Sequence, residues 1–200
     1  SLIIFSFNVN SEEFDISAKE ILIDKENEIV TGIGSVTAID TSERVINADK
    51  ITYEKKREFL IAEGNVKIYD NEGNILKTNK ATYDKKNELV ITFGDSDLKL
   101  KNGYVLQGKN ITYNTAEEIL ASSEASILSD NEGNIVKTTM FQYHKKNNLF
   151  SSVGKIDIVD MKKNKYFFKE FHVDTKKKEM VGSRWFDSPW RGHCWTGGGA

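Results

Sequence analysis

Tyr53, Tyr83, Tyr113 and Tyr143 stand 30 residues apart, with Ile23 one interval before the first and Val173 one interval after the last. Six positions in register, with no insertion between them, mark a repeat architecture rather than a chance spacing. Each copy reads apolar-x-Tyr, a charged turn, then two or three apolar residues. Examples are Ile51-Thr-Tyr53-Glu-Lys-Lys-Arg-Glu-Phe59-Leu60 and Ala81-Thr-Tyr83-Asp-Lys-Lys-Asn-Glu-Leu89-Val90. A second turn signal, Asp70-Asn-Glu-Gly-Asn-Ile75, recurs verbatim over 130–135, with Lys101-Asn-Gly-Tyr104 between them. Two turns and two extended runs per 30 residues predict an all-β chain of antiparallel hairpins.

Eleven residues after the tyrosine position come Gly34, Gly64, Gly94 and Gly154; Glu124 interrupts the series. Apolar alternation slips across these glycines. Before them it falls on Phe59 and Ile61, on Leu89, Ile91 and Phe93, and on Leu149. After them it falls on Val66 and Ile68, Leu98 and Leu100, and Ile156 and Ile158. A one-residue bulge at each glycine would bring both sets to one face and bend the strand. The expectation is long strands bent at Gly34, Gly64, Gly94 and Gly154, each contributing to two facing sheets around an apolar interior.

Composition agrees with this. Alanine appears nine times, and a single proline is present, Pro189. A body without proline suits uninterrupted strand ladders. Lys and Arg number 28 against 30 Asp and Glu, a net charge of −2, which argues against a nucleic-acid partner. One cysteine excludes a disulfide framework and any multi-cysteine zinc site. His144 replaces the turn residue of the other repeats, His172 sits between Phe171 and Val173, and His193 lies near the end. No His–carboxylate–nucleophile pattern, phosphate loop or metal motif recurs, so the expectation is no enzyme, no cofactor and no metal. The paired lysines at 55–56, 85–86 and 145–146, and at 162–163 in the other turn, read as solvated hairpin tips.

Both ends differ from the body. Residues 1–9 are an apolar run, either the end of a secretory signal or a first strand, so 1–17 is set apart as a lead-in. Residues 184–200 hold Pro189, Cys194 and all three tryptophans, and form an atypical tail outside the expected domain, 18–183.

Ala48-Asp-Lys-Ile-Thr-Tyr53, followed by Ala62-Glu-Gly-Asn-Val66-Lys-Ile68, resembles the OstA-like repeat of the lipopolysaccharide-transport family. That family includes the periplasmic bridge protein LptA and the N-terminal domain of the outer-membrane translocon LptD. The resemblance spans about 18–183, and its many copies, with Lys178-Glu-Met-Val-Gly-Ser183, lean towards LptD. It implies an open, V-shaped antiparallel β-jelly roll in the periplasm of a Gram-negative bacterium. Partners would be lipopolysaccharide and further OstA-like modules joined through edge strands. In an LptD-like protein a C-terminal outer-membrane β-barrel would follow.

On that reading the acyl-chain groove is lined by Ile51, Tyr53, Tyr83, Tyr113 and Tyr143, by Val66, Ile68, Leu98 and Leu100, and by Ile111, Leu128, Ile156 and Ile158. Two alternatives stay open at this point. One is a structural or adhesive parallel β-helix with one coil per repeat; the other is a polysaccharide-active β-helix enzyme.

Overall fold

A computed structural model describes residues 7–10 and 14–184. The chain divides into two compact units, Ser1–Leu98 and Lys99–Ala200. The first holds β1 (Phe7–Asn10), β2 (Phe14–Ala18), β3 (Glu20–Asp24), β4 (Ile29–Asp40), β5 (Val45–Glu54), β6 (Phe59–Tyr69), β7 (Ile75–Asp84) and β8 (Leu89–Lys99). The second holds β9 (Val105–Lys109), β10 (Thr112–Asn114), β11 (Ile119–Ser122), β12 (Ser126–Ser129), β13 (Ile135–Thr138), β14 (Phe141–His144), β15 (Leu149–Val159), β16 (Lys165–Asp174) and β17 (Glu179–Arg184).

Every strand pair whose register is defined within a unit is antiparallel. This overturns the parallel β-helix. Strand pairing also begins before residue 18: β1 pairs with β2, and Phe14 and Ile16 are buried. Alternating apolar residues at 14, 16 and 18 make β2 part of the sheet; residues 1–6 and 11–13 of the lead-in lie outside the described residues. Residues 185–200, which carry Pro189, His193 and Cys194, lie outside the described residues.

Each unit has two layers, the arrangement of a β-jelly roll, because its strands bend or break midway. In the first unit β2 pairs with 37–40 of β4, whereas β3 pairs with 29–33 of the same strand. The bend lies between, where the Lys19 amide donates to the Gly34 carbonyl at 3.1 Å. Register shifts mark the bend at 33/36 on β4, 63/66 on β6 and 153/156 on β15. In each case the glycine strand carries one extra residue, which is a β-bulge. Gly34 and Gly64 have φ of +79° and +77°, and Ser35 and Asn65 follow them at +49° and +48°. Where Glu124 replaces glycine, the strand instead breaks into β11 and β12, since a residue with a Cβ resists the left-handed geometry.

The inward alternation differs from the sequence expectation. Buried positions in the glycine strands are even on both sides of the bend: Val30 and Val36, Leu60 and Val66, Val90 and Leu98, Phe150 and Ile156. Phe59, Ile61, Leu89, Ile91 and Leu149 are only half-buried and Phe93 is exposed, so that odd set faces outward. The change of parity falls in the tyrosine strands, where Ile46 and Ala48 give way to Ile51 and Tyr53. Two outward residues, Asp49 and Lys50, cross the bend there, against three, Ile33 to Ser35, on the neighbouring strand. The longer outer path of the glycine strand takes up the extra residue.

The tips at one end of each unit stack. Residues Glu28, Glu58, Glu88, Glu118, Asn148 and Lys178, again 30 apart, all adopt positive φ. The carbonyls of Glu28, Glu58, Glu118 and Asn148 accept from the next tip: the Lys55 amide bonds to Glu28 at 3.0 Å and the Lys145 amide to Glu118 at 2.9 Å. Lys56 Nζ donates to the Glu26 carbonyl at 3.0 Å and Lys146 Nζ to that of Ala116 at 3.1 Å. Some of the paired lysines are therefore carbonyl caps as well as solvating groups.

Turn carboxylates staple these hairpins. Asp70 Oδ1 accepts from the amides of Glu72 and Asn74, and Asp130 and Asp160 repeat the pattern. At the tips, a hydrogen bond from the Asn27 side chain holds the Asp24 carboxyl below its ordinary pKa, and Asn87 does the same for Asp84. The Lys177 amide lowers Asp174. For Asp160, desolvation is outweighed by bonds from Asn164 and Tyr166.

A carboxyl lowered in the folded state binds fewer protons there than when unfolded, so its stabilisation is full above the ordinary carboxylate pKa, about 4. It disappears as pH falls through the lowered folded values. The urea midpoint is expected to stay level from pH 7 to about 5 and to drop below that. A midpoint unchanged down to pH 3 would contradict this account.

Candidate functional site

The inward side chains form rows across the strands. In one layer of the first unit Ile16, Ala38, Ile46, Ile68 and Leu76 stand opposite one another in succession. The other layer carries Val30, Tyr53, Leu60 and Tyr83, beside Gly32, Ile51, Ala62 and Ala81. The layers meet face to face: Phe14 of β2 packs edge-on against Tyr53, with ring centroids 4.9 Å apart, and against Tyr83 at 6.5 Å.

The second unit repeats the plan. Leu106, Leu128, Val136, Ile158 and Tyr166 form one row. Tyr113, Leu120, Tyr143, Phe150 and Val173 form a row of the other layer. Within each unit a leucine stands between neighbouring tyrosines, Leu60 between Tyr53 and Tyr83 and Leu120 between Tyr113 and Tyr143.

Of the thirteen groove residues expected from sequence, eleven are buried: Ile51, Tyr53, Tyr83, Tyr143, Val66, Leu98, Leu100, Ile111, Leu128, Ile156 and Ile158. Tyr113 and Ile68 are half-buried. The first unit brings together Ile51, Tyr53, Val66, Ile68, Tyr83 and Leu98, and the second unit the rest.

Three features were not read from the sequence. The first is a row of small hydroxyls at the bend. Ser96 Oγ donates to Thr92 at 2.9 Å, Ser122 to the Lys109 carbonyl at 2.7 Å and Ser152 to the Met140 carbonyl at 2.8 Å. Strands that kink release carbonyls from the ladder, and Ser122 and Ser152 satisfy two of them.

The second is a partly open cavity of about 20 Å³ in the first unit, lined by Ile46, Leu60, Ala62, Ile68, Ala81, Thr82, Tyr83 and Val90 together with Asp40 and Arg44. That is space for about one water molecule. Arg44 Nε donates to Asp40 at 2.6 Å and Nη2 to the Tyr83 hydroxyl at 3.2 Å, and the guanidinium lies 4.9 Å from the Tyr83 ring centroid. Burial opposes its charge, but Asp40 and the Tyr83 hydroxyl hold its pKa above the ordinary arginine value. The Ala and Val positions around the cavity are the signal that sequence comparison between repeats holds, since later repeats place larger residues there.

The third is a Ser–His–Glu chain. Ser151 Oγ lies 2.9 Å from His172 Nδ1, and His172 Nε2 lies 3.1 Å from Glu170. It arises because Ser151 and His172 pair across β15 and β16 on the outward face. The acid is 52% and the imidazole 40% exposed, so solvent screens the pair. The backbone around it is committed to the β15–β16 and β16–β17 ladders, and a catalytic triad needs free amides facing the reacting oxygen. Among the described residues no group of three or more His, Cys, Asp and Glu is placed to hold a metal ion.

No protein-family model matches the sequence, and no curated protein matches it. Among solved structures the chain is similar to LptH of Pseudomonas aeruginosa, described as the LptA-homologous periplasmic component of the lipopolysaccharide transport device. The two are 16% identical over 73% of this chain and 85% of that one, with a TM-score of 0.30. It is also similar to the TCP10 domain of Danio rerio CPAP, solved with a peptide of STIL. There the identity is 10% over 80% of this chain and 97% of that one, with a TM-score of 0.16. Both overlays are loose and both identities low.

Proposed function

We propose that this chain is a non-catalytic lipid-carrying module of lipopolysaccharide transport in the periplasm of a Gram-negative bacterium, working at or near the outer membrane. The observation that carries this is the inner surface. Two facing layers present unbroken apolar rows in each unit, and apart from the Asp40–Arg44 pair at the cavity the buried described residues are apolar or bear only hydroxyls. The repeated motif over 48–68, which resembles the OstA-like repeat, supports the same reading.

Acyl chains must leave water to cross an aqueous compartment, and ten methylenes gain about 8 kcal/mol on doing so. That offsets parting some of the contacts between layers. An apolar lining makes no directional bonds, so a chain can slide along it while sugars and phosphates stay in solvent. Neighbouring modules would join by strand addition, for which β17, with Val181 68% exposed, is a fitting element. No cofactor is required, and the energy for movement comes from elsewhere in the system.

Photocrosslinking residues placed at Tyr83 and Leu98 are expected to capture lipopolysaccharide, whereas one at the exposed Lys67 is not. Absence of capture at every inward position would sink the proposal.

A further inference from the structure

We infer that the two units do not share the lipid equally: the first unit admits the acyl chain of an anionic amphiphile, with Arg44 contacting its head group, and the second unit is sealed by aromatic packing. This rests on the lipid-carrying function proposed above and assigns it to one half of the chain.

Two repeats separate equivalent positions of the units, so each cavity residue has a counterpart 60 residues on. Ala81 corresponds to Phe141 and Val90 to Phe150. Those phenylalanines are 1% and 0% exposed and stack, with centroids 5.6 Å apart and planes 13° from parallel. The substitutions place two rings where the first unit has an alanine, a valine and a void.

The rim changes in the same sense. Asp40 and Arg44 correspond to Leu100 and Tyr104, which are 7% and 3% exposed. The Tyr104 hydroxyl is buried without a hydrogen-bond partner, so the second unit closes over its interior even at the cost of an unsatisfied polar atom. The first unit instead closes with a charged side chain that reaches from the start of β5 to Tyr83 in the opposite layer. The guanidinium is already paired with Asp40 at 2.6 Å; its contact across the layers is a bond to a neutral hydroxyl and a ring. An oxyanion offers a charge-assisted bond about twice as strong. Among the described residues Arg44 Nη1 has no hydrogen-bond partner, which leaves a donor for a phosphate or carboxylate. An incoming head group would draw Arg44 off Tyr83 and uncover the cavity, whose lining of Ala62, Ala81 and Val90 yields more room than any equivalent set in the second unit.

The test uses the whole chain with a photocrosslinker at Ile68 or at its counterpart Leu128, and with Ile46 and Leu106 as a second pair should the first disturb folding. Circular dichroism melts verify each variant. Probes are lipopolysaccharide, phosphatidylglycerol vesicles, oleate and the uncharged dodecyl maltoside. Capture of an anionic probe at Ile68 is expected to exceed that at Leu128 at least tenfold, and the probe captured best identifies the source of the chain. Arg44→Ala is expected to cut anionic capture severalfold and leave dodecyl maltoside unchanged.

Equal capture in both units, or more in the second, overturns the inference while leaving the lipid-carrying function standing. Capture nowhere overturns both. An Arg44→Ala effect of the same size on the uncharged probe removes the head-group role.

Discussion

Phe150→Ala is expected to destabilise the protein by about 3–5 kcal/mol, the range for emptying a phenylalanine site in a packed core. Phe150 is 0% exposed, stacks on Phe141 and stands between Tyr143 and Val173 in the row that crosses β14, β15 and β16. Neighbours held by two ladders cannot collapse into the space, so the cavity term adds to the lost transfer energy. The counterpart in the first unit behaves differently. Val90 borders an existing cavity, and Val90→Ala removes two methyl groups, with a loss of about 1–2 kcal/mol. Urea unfolding followed by far-ultraviolet circular dichroism checks both. A Phe150→Ala loss no larger than that of Val90→Ala would mean that the second unit is not the tightly packed half.

Gly64→Ala should cost about 2–4 kcal/mol, combining left-handed strain with a steric clash, and Gly94→Ala only the strain, about 1–2 kcal/mol. Both glycines hold nearly the same φ, +77° and +80°. Around them the structures part: a Cβ at Gly64 would run into the Asp49 carboxylate, whereas one at Gly94 meets nothing within 4 Å. Turning the Asp49 carboxylate aside does not relieve the clash, because the Asp49 Cβ itself would lie 2.9 Å away. Equal losses for the two variants would show that backbone strain alone governs the bulge. In the Gly64→Ala background, Asp49→Ala is expected to recover part of the excess.

Much of the architecture was legible before any coordinate. The 30-residue interval of the tyrosines, the turn sequence shared by 70–75 and 130–135, and the glycines at 34, 64, 94 and 154 depend on local geometry, and local geometry repeats wherever the local sequence does. Glu124 shows the same rule from the other side, since the strand breaks where the glycine is missing.

The parity of the glycine strands was not legible. Leu89, Ile91 and Phe93 alternate with Val90 and Thr92, so the more apolar set is the one that faces outward, and hydrophobicity alone selects the wrong face. Phe93 turned out to lie outside, with Lys80 Nζ 5.9 Å from its ring centroid.

Arg44 was equally silent. It stands in a turn among polar residues, and only the meeting of β5 with β7 across two layers brings it to Tyr83, 39 positions later. The chain of Ser151, His172 and Glu170 likewise exists only through the β15–β16 register.

Sequence alone determined that the protein repeats, that its repeats are hairpins, and where those hairpins turn and bend, because turns and bulges are set by a few residues in immediate succession. Tertiary structure decided which side chains face inward and where the first unit keeps a void. Those outcomes depend on the volume of residues 60 positions apart and on which strand takes the longer path around the bend, and no short stretch of chain contains either.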